Sequence, residues 1–216
     1  MIDLVIYGAG GFGKEIACLI HHNLDSEFNA KYNFIGFIDD GVDVGTEVKH
    51  GAVLGDVDFI NKSSKPIAVI FSIANPSVLK NAFLKIDQPN VQYPNLIDPN
   101  VHYYDKHSFK MGKGNVLFNG CRFSVDVEIG DFNLCNGYVA FGHDVSVGDF
   151  NVFSPSSRVS GNVSIGDENF FGLNSAVLQG KNVNNRIRLG AGSILMNNAR
   201  KEGALYFGNP ARRIKE

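Results

Sequence analysis

No stretch of this chain concentrates positive charge. Its 20 Lys and Arg are outnumbered by 22 Asp and Glu, for a net charge of −2 and a pI near 6.3, and they form no basic run. The electrostatic footprint of nucleic-acid binding is missing, so nucleic acid is excluded as a partner. Cysteine is scarce as well. Cys18, Cys121 and Cys135 are an odd number without metal-type spacing, which argues against a disulfide framework or a structural zinc and reads as reduced packing thiols of a cytoplasmic protein. Long apolar runs are absent too. The apolar start Leu4–Tyr7 is too short for a signal peptide or a span, and nothing approaches about eighteen apolar residues, so direct membrane insertion is not expected.

What the chain does have is a repeat. FKMGKGN at 109–115, VEIGDFN at 127–133, VSVGDFN at 145–151 and VSIGDEN at 163–169 return every eighteen residues. Inside each eighteen runs a beat of six, carried by Met111, Leu117, Phe123, Ile129, Cys135, Phe141, Val147, Phe153, Val159, Ile165, Phe171 and Val177. A helix of 3.6 residues per turn cannot hold that register. Six-residue rungs, each turning one apolar side chain inward and repeated three times per lap, describe a triangular solenoid of short parallel strands. Each buried side chain contributes roughly 1.5–3 kcal/mol. The Asn115, Asn133, Asn151, Asn169 phase and the Gly112, Gly130, Gly148, Gly166 phase are expected at corners where positive φ is tolerated. After Val177, the polar run Gln179–Arg186 is expected to interrupt the beat as a bulge before Leu189 and Leu195 resume it.

The first half reads differently. Leu4–Tyr7 is a buried strand, GAGGFG from Gly8 to Gly13 a tight turn, and Lys14–His22 a helix, the opening of a dinucleotide-type α/β fold. Gly8, Gly10 and Gly13 match GxGxxG in the context that aims backbone N–H groups and a helix N-terminus at a phosphate. A second strand, Phe34–Ile38, ends in Asp39 and Asp40, placed either to accept from ribose hydroxyls or simply to face solvent. A third, Ile67–Ile73, leads through Ala74-Asn75-Pro76 to a helix at Ser77–Lys85. This is about half of a dinucleotide domain, which favours a nucleotide handle over NAD. The expected organisation is a Rossmann-like α/β domain over 1–95 and a parallel β-helix over 96–216.

Chemistry narrows to one histidine. His21 and His22 on the first helix, His50 in a Gly-rich loop, and His102 and His107 ahead of the regular coils have no carboxylate or Cys at ligand spacing and read as surface residues. His143 instead interrupts the most regular part of the solenoid, with Gly161 one lap above it and Asp144 beside it. Adjacent residues on a strand face opposite ways, so an Asp144 contact requires a bent corner. A catalytic base and an exposed turn histidine both remain open on these residues alone. Lys181, Arg186 and Arg188, with two arginines in Gly208–Arg213, are late cations that either meet phosphates or are solvated.

The glycine turn, the hexapeptide coils, the His143-Asp144 pair and GNPAR at 208–212 together resemble the bacterial sugar acetyltransferases of the hexapeptide-repeat superfamily, of the sialic-acid O-acetyltransferase and nucleotide-aminosugar N-acetyltransferase type. The resemblance spans nearly the whole chain. It implies a left-handed β-helix, against the right-handed default for parallel crossovers. It also implies a homotrimer with acetyl-CoA between neighbouring solenoids, and no metal. His143 then corresponds to the general base and Asp144 to its supporting acid. Gly8, Gly10, Gly11, Phe12, Gly13, Asp39, Asp40 and Asn75 correspond to the nucleotide-sugar site, with Asn136 near the acceptor. Gly161, Leu173, Gly190, Ala191, Lys181, Arg188, Pro210 and Arg212 correspond to the coenzyme site. Phe12, Val152, Ala74 and Asp98 depart from the family pattern, where relatives often have His, His, Gly and His. The resulting expectation is an acetyl-CoA-dependent N-acetyltransferase acting on a UDP-, dTDP- or GDP-linked amino sugar in surface-glycan synthesis. Its rivals are a sugar O-acetyltransferase, a non-catalytic trimeric scaffold and an NAD-dependent oxidoreductase.

Overall fold

The computed structural model describes residues 1–23 and 26–214 and divides into two compact units, Met1–Ala74 with Val78–Pro99, and Asn100–Glu216 with Asn75–Ser77. The first contains β1 (Ile2–Tyr7), α1 (Gly11–Asn23), α2 (Ser26–Lys31), β2 (Tyr32–Ile38), β3 (Glu47–Val48), β4 (Gly51–Gly55), α3 (Val57–Asn61), β5 (Ile67–Phe71), α4 (Pro76–Leu84) and β6 (Val91–Gln92). Its sheet runs β3-β4-β2-β1-β5-β6, parallel throughout except for the β3–β4 hairpin. Sequence reading anticipates β1, β2 and β5. The additional parallel strands β4 and β6 are short, and GAVLG offers little apolar signal. β1 and β5 are central because IDLVIY and IAVIF are nearly continuous apolar runs, the composition of a parallel strand covered on both faces. Strand order reverses between β1 and β5, and a doubly wound sheet binds ligands beyond the carboxyl ends of its strands at such a point.

The second unit is a prism of two-residue rungs. One wall stacks Val116–Leu117, Leu134–Cys135, Val152–Phe153, Phe170–Phe171 and Arg188–Leu189. The second stacks His102–Tyr103, Arg122–Phe123, Ala140–Phe141, Arg158–Val159, Ala176–Val177 and Ile194–Leu195. The third stacks Lys110–Met111, Glu128–Ile129, Ser146–Val147, Ser164–Ile165 and Asn182–Val183. A terminal hairpin, Leu205–Gly208 with Ala211–Arg213, adds to the first wall. The coil winds left-handed. The right-handed default comes from the twist of longer strands, and rungs of two residues accumulate almost none.

Inside, rings stack in register. Phe123 and Phe141 lie 5.3 Å apart at 9°, Phe153 and Phe171 4.5 Å apart at 5°, and Phe141 meets Phe153 edge-on at 79°. Val183 is also buried, on a rung paired with Ser164–Ile165. The bulge expected at Gln179–Arg186 therefore does not form. Val183 keeps the six-residue beat, and its polar neighbours had masked it.

The corners also correct the sequence reading. Positive φ falls on Asp126, Phe132, Tyr138, Asp144, Phe150, Ser156, Asn162, Glu168 and Asn174, at 54° to 62°, and not on the Asn or Gly phases named above. Left-handed backbone costs a non-Gly residue about 1–2 kcal/mol. Here it lets each corner N–H reach the coil below, as in Asp144 to the Val125 carbonyl at 3.1 Å and Asn162 to the His143 carbonyl at 2.7 Å. Gly112, Gly130 and Gly148 serve close approach instead. A Cβ there would collide with the carboxylate of Asp131, Asp149 and Asp167 in the next coil, and these three accept from the N–H groups of Lys113, Asp131 and Asp149.

The asparagines form a buried ladder. Asn115, Asn133, Asn151 and Asn169 each accept, through the side-chain oxygen, the backbone N–H eighteen residues on. Asn151→Ala leaves the Asn169 N–H unpaired at a fully buried residue and is expected to cost about 1–3 kcal/mol. Chemical denaturation measures this, and a loss below about 0.5 kcal/mol would show that the ladder adds nothing to stability.

Candidate active site

The glycine turn lies at the order reversal of the sheet. Gly8 takes φ +113° and donates to the Ile38 carbonyl at 2.7 Å. The Ser72 hydroxyl, at the end of β5, lies 3.0 Å from the Tyr7 carbonyl and 2.7 Å from that of Gly8. A Cβ on Gly8 would strike Ser72, and one on Gly13 would strike the Gly8 carbonyl, so these two glycines let β1, β5 and α1 close together. Gly10 and Gly11 face open space and leave backbone free to approach a ligand at the start of α1. Phe12 occupies the first turn of that helix.

Asp39 and Asp40 do different work from one another. Asp39 accepts from Ala9 N–H at 2.8 Å and Gly41 N–H at 2.9 Å, tying the glycine turn to the end of β2 and leaving one lone pair on each oxygen. Asp40 accepts from the Tyr7 hydroxyl at 2.7 Å and the Val57 N–H at 3.3 Å, and pairs with Lys85 at 2.5 Å. Burial works to raise the Asp40 carboxyl, but the Lys85 and Tyr7 hydrogen bonds, the Lys85 charge and the Val57 N–H outweigh it and hold the group below its ordinary value. Burial first, then the Asp40 bond and the nearby carboxylates, push the Tyr7 phenol up, so it remains a donor. Sequence reading missed Tyr7, Ser72 and Lys85, whose partners are distant in the chain. Asn75 accepts from Ser77 N–H at 3.1 Å and caps the first turn of α4 ahead of Pro76.

On the solenoid, His143 and Asp144 occupy the corner between the second and third walls. His143 Nδ1 lies 2.7 Å from Asp144 Oδ2, and the side chains are 50% and 59% exposed, open to a ligand. The bend that this contact demands is supplied by Asp144 itself, at φ 55°. In the neutral tautomer that donates from Nδ1 to this carboxylate, the ring's lone pair lies on Nε2. One coil above, a Cβ on Gly161 would stand 2.5 Å from Nε2 and 2.7 Å from Cε1, so the ring rests where only glycine fits. Gly161 is buried, and its N–H has no hydrogen-bond partner among the described residues. A lone pair and an unpaired donor thus share one corner.

The remaining sequence-derived positions lie elsewhere. Asn136, Leu173, Gly190 and Ala191 follow the corner between the first and second walls, with the second wall separating them from His143. The Asn136 side-chain oxygen accepts the Gly137 N–H at 2.7 Å, and Leu173 is exposed. Lys181 stands just beyond Gly180, in the His143 corner column, and exposed Arg188 begins a rung of the first wall. Pro210 and Arg212 lie in the terminal hairpin, where Arg212 opposes Phe207. Arg186 pairs with Glu202 at 2.5 Å and so leaves the group of late cations. Cys121 and Cys135 are buried free thiols, and burial raises Cys135 well above its ordinary range. Sequence reading also missed a cleft of about 320 Å³ on the outer face of the second wall, lined by Asn100, His102, Arg122, Tyr138, Ala140 and Arg158. Its one signal was the shared rung phase of Arg122 and Arg158.

Residues 3–86 match the PglD N-terminal domain. No curated protein matches the sequence. Among solved structures, WeeI from Acinetobacter baumannii AYE is 28% identical with a TM-score of 0.83, covering 99% of this chain and all of the other. The acetyltransferase domain of PglB from Neisseria gonorrhoeae FA1090 is 23% identical with a TM-score of 0.86 over 99% and 100% of the two chains. PerB from Caulobacter crescentus, in complex with CoA and GDP-perosamine, is 21% identical with a TM-score of 0.84 over 99% and 97%. The first half thus matches the PglD N-terminal domain, and over nearly its full length the chain shares the fold of these solved structures, an α/β domain followed by a left-handed β-helix.

Proposed function

We propose that the chain transfers the acetyl group of acetyl-CoA to the amine of a nucleotide-linked amino sugar. The observation that carries this reading is the imidazole of His143, held by Asp144 through Nδ1 with Nε2 free above side-chain-free Gly161. The substrate amine attacks the thioester carbonyl while Nε2 takes its proton. The tetrahedral oxyanion accepts the Gly161 N–H, the C–S bond breaks, and the imidazolium returns the proton to the leaving CoA thiolate. Asp144 steadies the ring in both protonation states. No covalent enzyme intermediate is needed and no metal takes part.

A nucleotide handle at the glycine turn favours a nucleotide sugar over a free sugar. Support for both substrates also comes from the solved relatives, since PerB is seen with CoA and GDP-perosamine and the PglB domain with acetyl coenzyme A. The His143 and Leu173–Ala191 corners lie on opposite edges of one wall, so a coenzyme groove lined by both requires a neighbouring copy, in keeping with a homotrimer. Lys181, Arg188 and Arg212 supply positive charge for the coenzyme phosphates. Reduced buried cysteines suit a cytoplasmic enzyme, placed at a step of surface-glycan synthesis that consumes an amino-sugar nucleotide.

Thiol release from acetyl-CoA, followed across UDP-, dTDP- and GDP-linked amino sugars, tests the reading. At least one is expected to raise CoA release well above the hydrolytic background and to appear N-acetylated by mass spectrometry. Acetylation only of sugars that lack an amine would overturn it in favour of O-acetyl transfer, and no release with any acceptor would favour a scaffold.

A further inference from the structure

Three histidines that read as unrelated surface residues meet in the fold. His21 and His22 form the last turn of α1, and His50 is the second residue of the two-residue Lys49-His50 turn between β3 and β4. Ring centroids lie 4.7 Å apart for His21 and His22, 4.5 Å for His21 and His50, and 5.2 Å for His22 and His50. One ligating nitrogen from each ring lies within 4.8 Å of the other two. Nε2 of His50 is buried and without a hydrogen-bond partner. No side-chain hydrogen bond from His21 or His22 is found among the described residues either. An orphaned buried ring nitrogen on one member of a cluster of three imidazoles calls for a ligand that accepts nitrogen lone pairs.

We propose that His21, His22 and His50 bind one divalent transition-metal ion of the Zn²⁺ class. Imidazole nitrogen suits Zn²⁺, Co²⁺, Ni²⁺ and Cu²⁺, whereas Mg²⁺ and Ca²⁺ require oxygen ligands, and this cluster contains no carboxylate. Tetrahedral Zn–N bonds of about 2.0–2.1 Å place ligand nitrogens about 3.3 Å apart, so the cluster must contract, and rotation of exposed His21 and His22 about χ1 and χ2 supplies the movement. Water takes the fourth position. A cation there is also favoured by the carbonyl end of the α1 dipole. His50 holds φ 68°, which Gly or Asn adopts more readily, so the turn keeps a ligand-bearing side chain where a smaller residue would be less strained.

The cluster lies at the far end of α1 from the glycine turn. α1 spans 13 residues, about 20 Å, and its glycine-turn end is the one that faces the nucleotide crevice. A metal at the opposite end clips the end of α1 to the β3–β4 hairpin, and its role is to stabilise the α/β unit.

Untagged protein, stripped with EDTA, should be titrated with ZnCl₂, CoCl₂ and MgCl₂ by calorimetry and followed by thermal unfolding. The expected result is one Zn²⁺ per chain at a dissociation constant on the order of micromolar or tighter, no Mg²⁺ binding, and a Tm that rises with free Zn²⁺ by mass action. The Co²⁺ adduct should show the visible absorption of a low-coordinate nitrogen site. His50→Asn retains a side chain that tolerates the left-handed turn and removes the ligand, while His21→Gln keeps the helix. Each should weaken Zn²⁺ binding at least about tenfold and abolish the Tm rise. Absence of Zn²⁺ binding, only millimolar binding, or binding unchanged in His50→Asn would overturn the proposal. None of these readouts depends on acetyl transfer.

Discussion

His143→Ala is expected to lower kcat by roughly 10²–10⁴ while the protein unfolds within about 0.5 kcal/mol of its parent. That range is about 3–5.5 kcal/mol of transition-state stabilisation, large enough to separate a general base from a group that merely lines a groove. The two halves of the prediction rest on different observations. The side chain is half exposed and its one hydrogen bond is to an equally exposed Asp144, so little folding energy is lost with it. Its Nε2 is the free lone pair above Gly161, so removing it takes away the proton acceptor. The expected signature is an unchanged Tm and an unchanged KM for the sugar nucleotide, with kcat alone reduced. A kcat within about threefold of the parent would return His143 to the status of an exposed turn residue.

The largest effect on stability is expected at Phe153. It is fully buried, stacked on Phe171 at 4.5 Å and set edge-on to Phe141 at 5.0 Å, so it joins two aromatic columns across the prism. Phe153→Ala removes a ring the coils cannot refill, because every rung is bonded to the ones above and below at Cys135 and Phe171. Such truncations cost about 3–5 kcal/mol, and the two ring pairs add about 0.5–1.5 kcal/mol each beyond buried area. Set against a typical net stability of about 5–15 kcal/mol, this is enough to threaten the solenoid at physiological temperature. Urea unfolding followed by the strand signal measures the change. A loss under about 1.5 kcal/mol would mean that neighbouring coils relax into the gap.

The solenoid was legible because its constraint is one-dimensional. A side chain every six residues must face inward, and an eighteen-residue lap places Gly161 over His143 by arithmetic alone. What escaped was whatever depends on what a neighbouring coil or a distant strand presents. Gly130 looked like a turn glycine until Asp149 was seen above it, and Val183 was hidden by Asn182, Asn184 and Asn185. In the α/β unit, Asp39 and Asp40 were recognised as acids at a strand end, but no local pattern reveals that one binds the glycine turn and the other a lysine on a distant segment. The histidine cluster is the extreme case. His22 and His50 have no sequence relation, and only the placement of the β3–β4 hairpin against the end of α1 joins them.

The hydrogen-bonded corners also govern how such a chain can change its length. Because each left-handed corner N–H is donated to the coil below, one residue added within a rung would shift every later side chain out of phase and turn the apolar set toward water. The chain shows where extra residues are tolerated. Arg122 pairs with His102, twenty residues away, whereas it pairs with Ala140 at eighteen, and the surplus pair is taken up between Tyr103 and Lys110 without disturbing either rung. Extra residues are thus absorbed at a prism edge, so corner loops can lengthen while the frame holds its pitch.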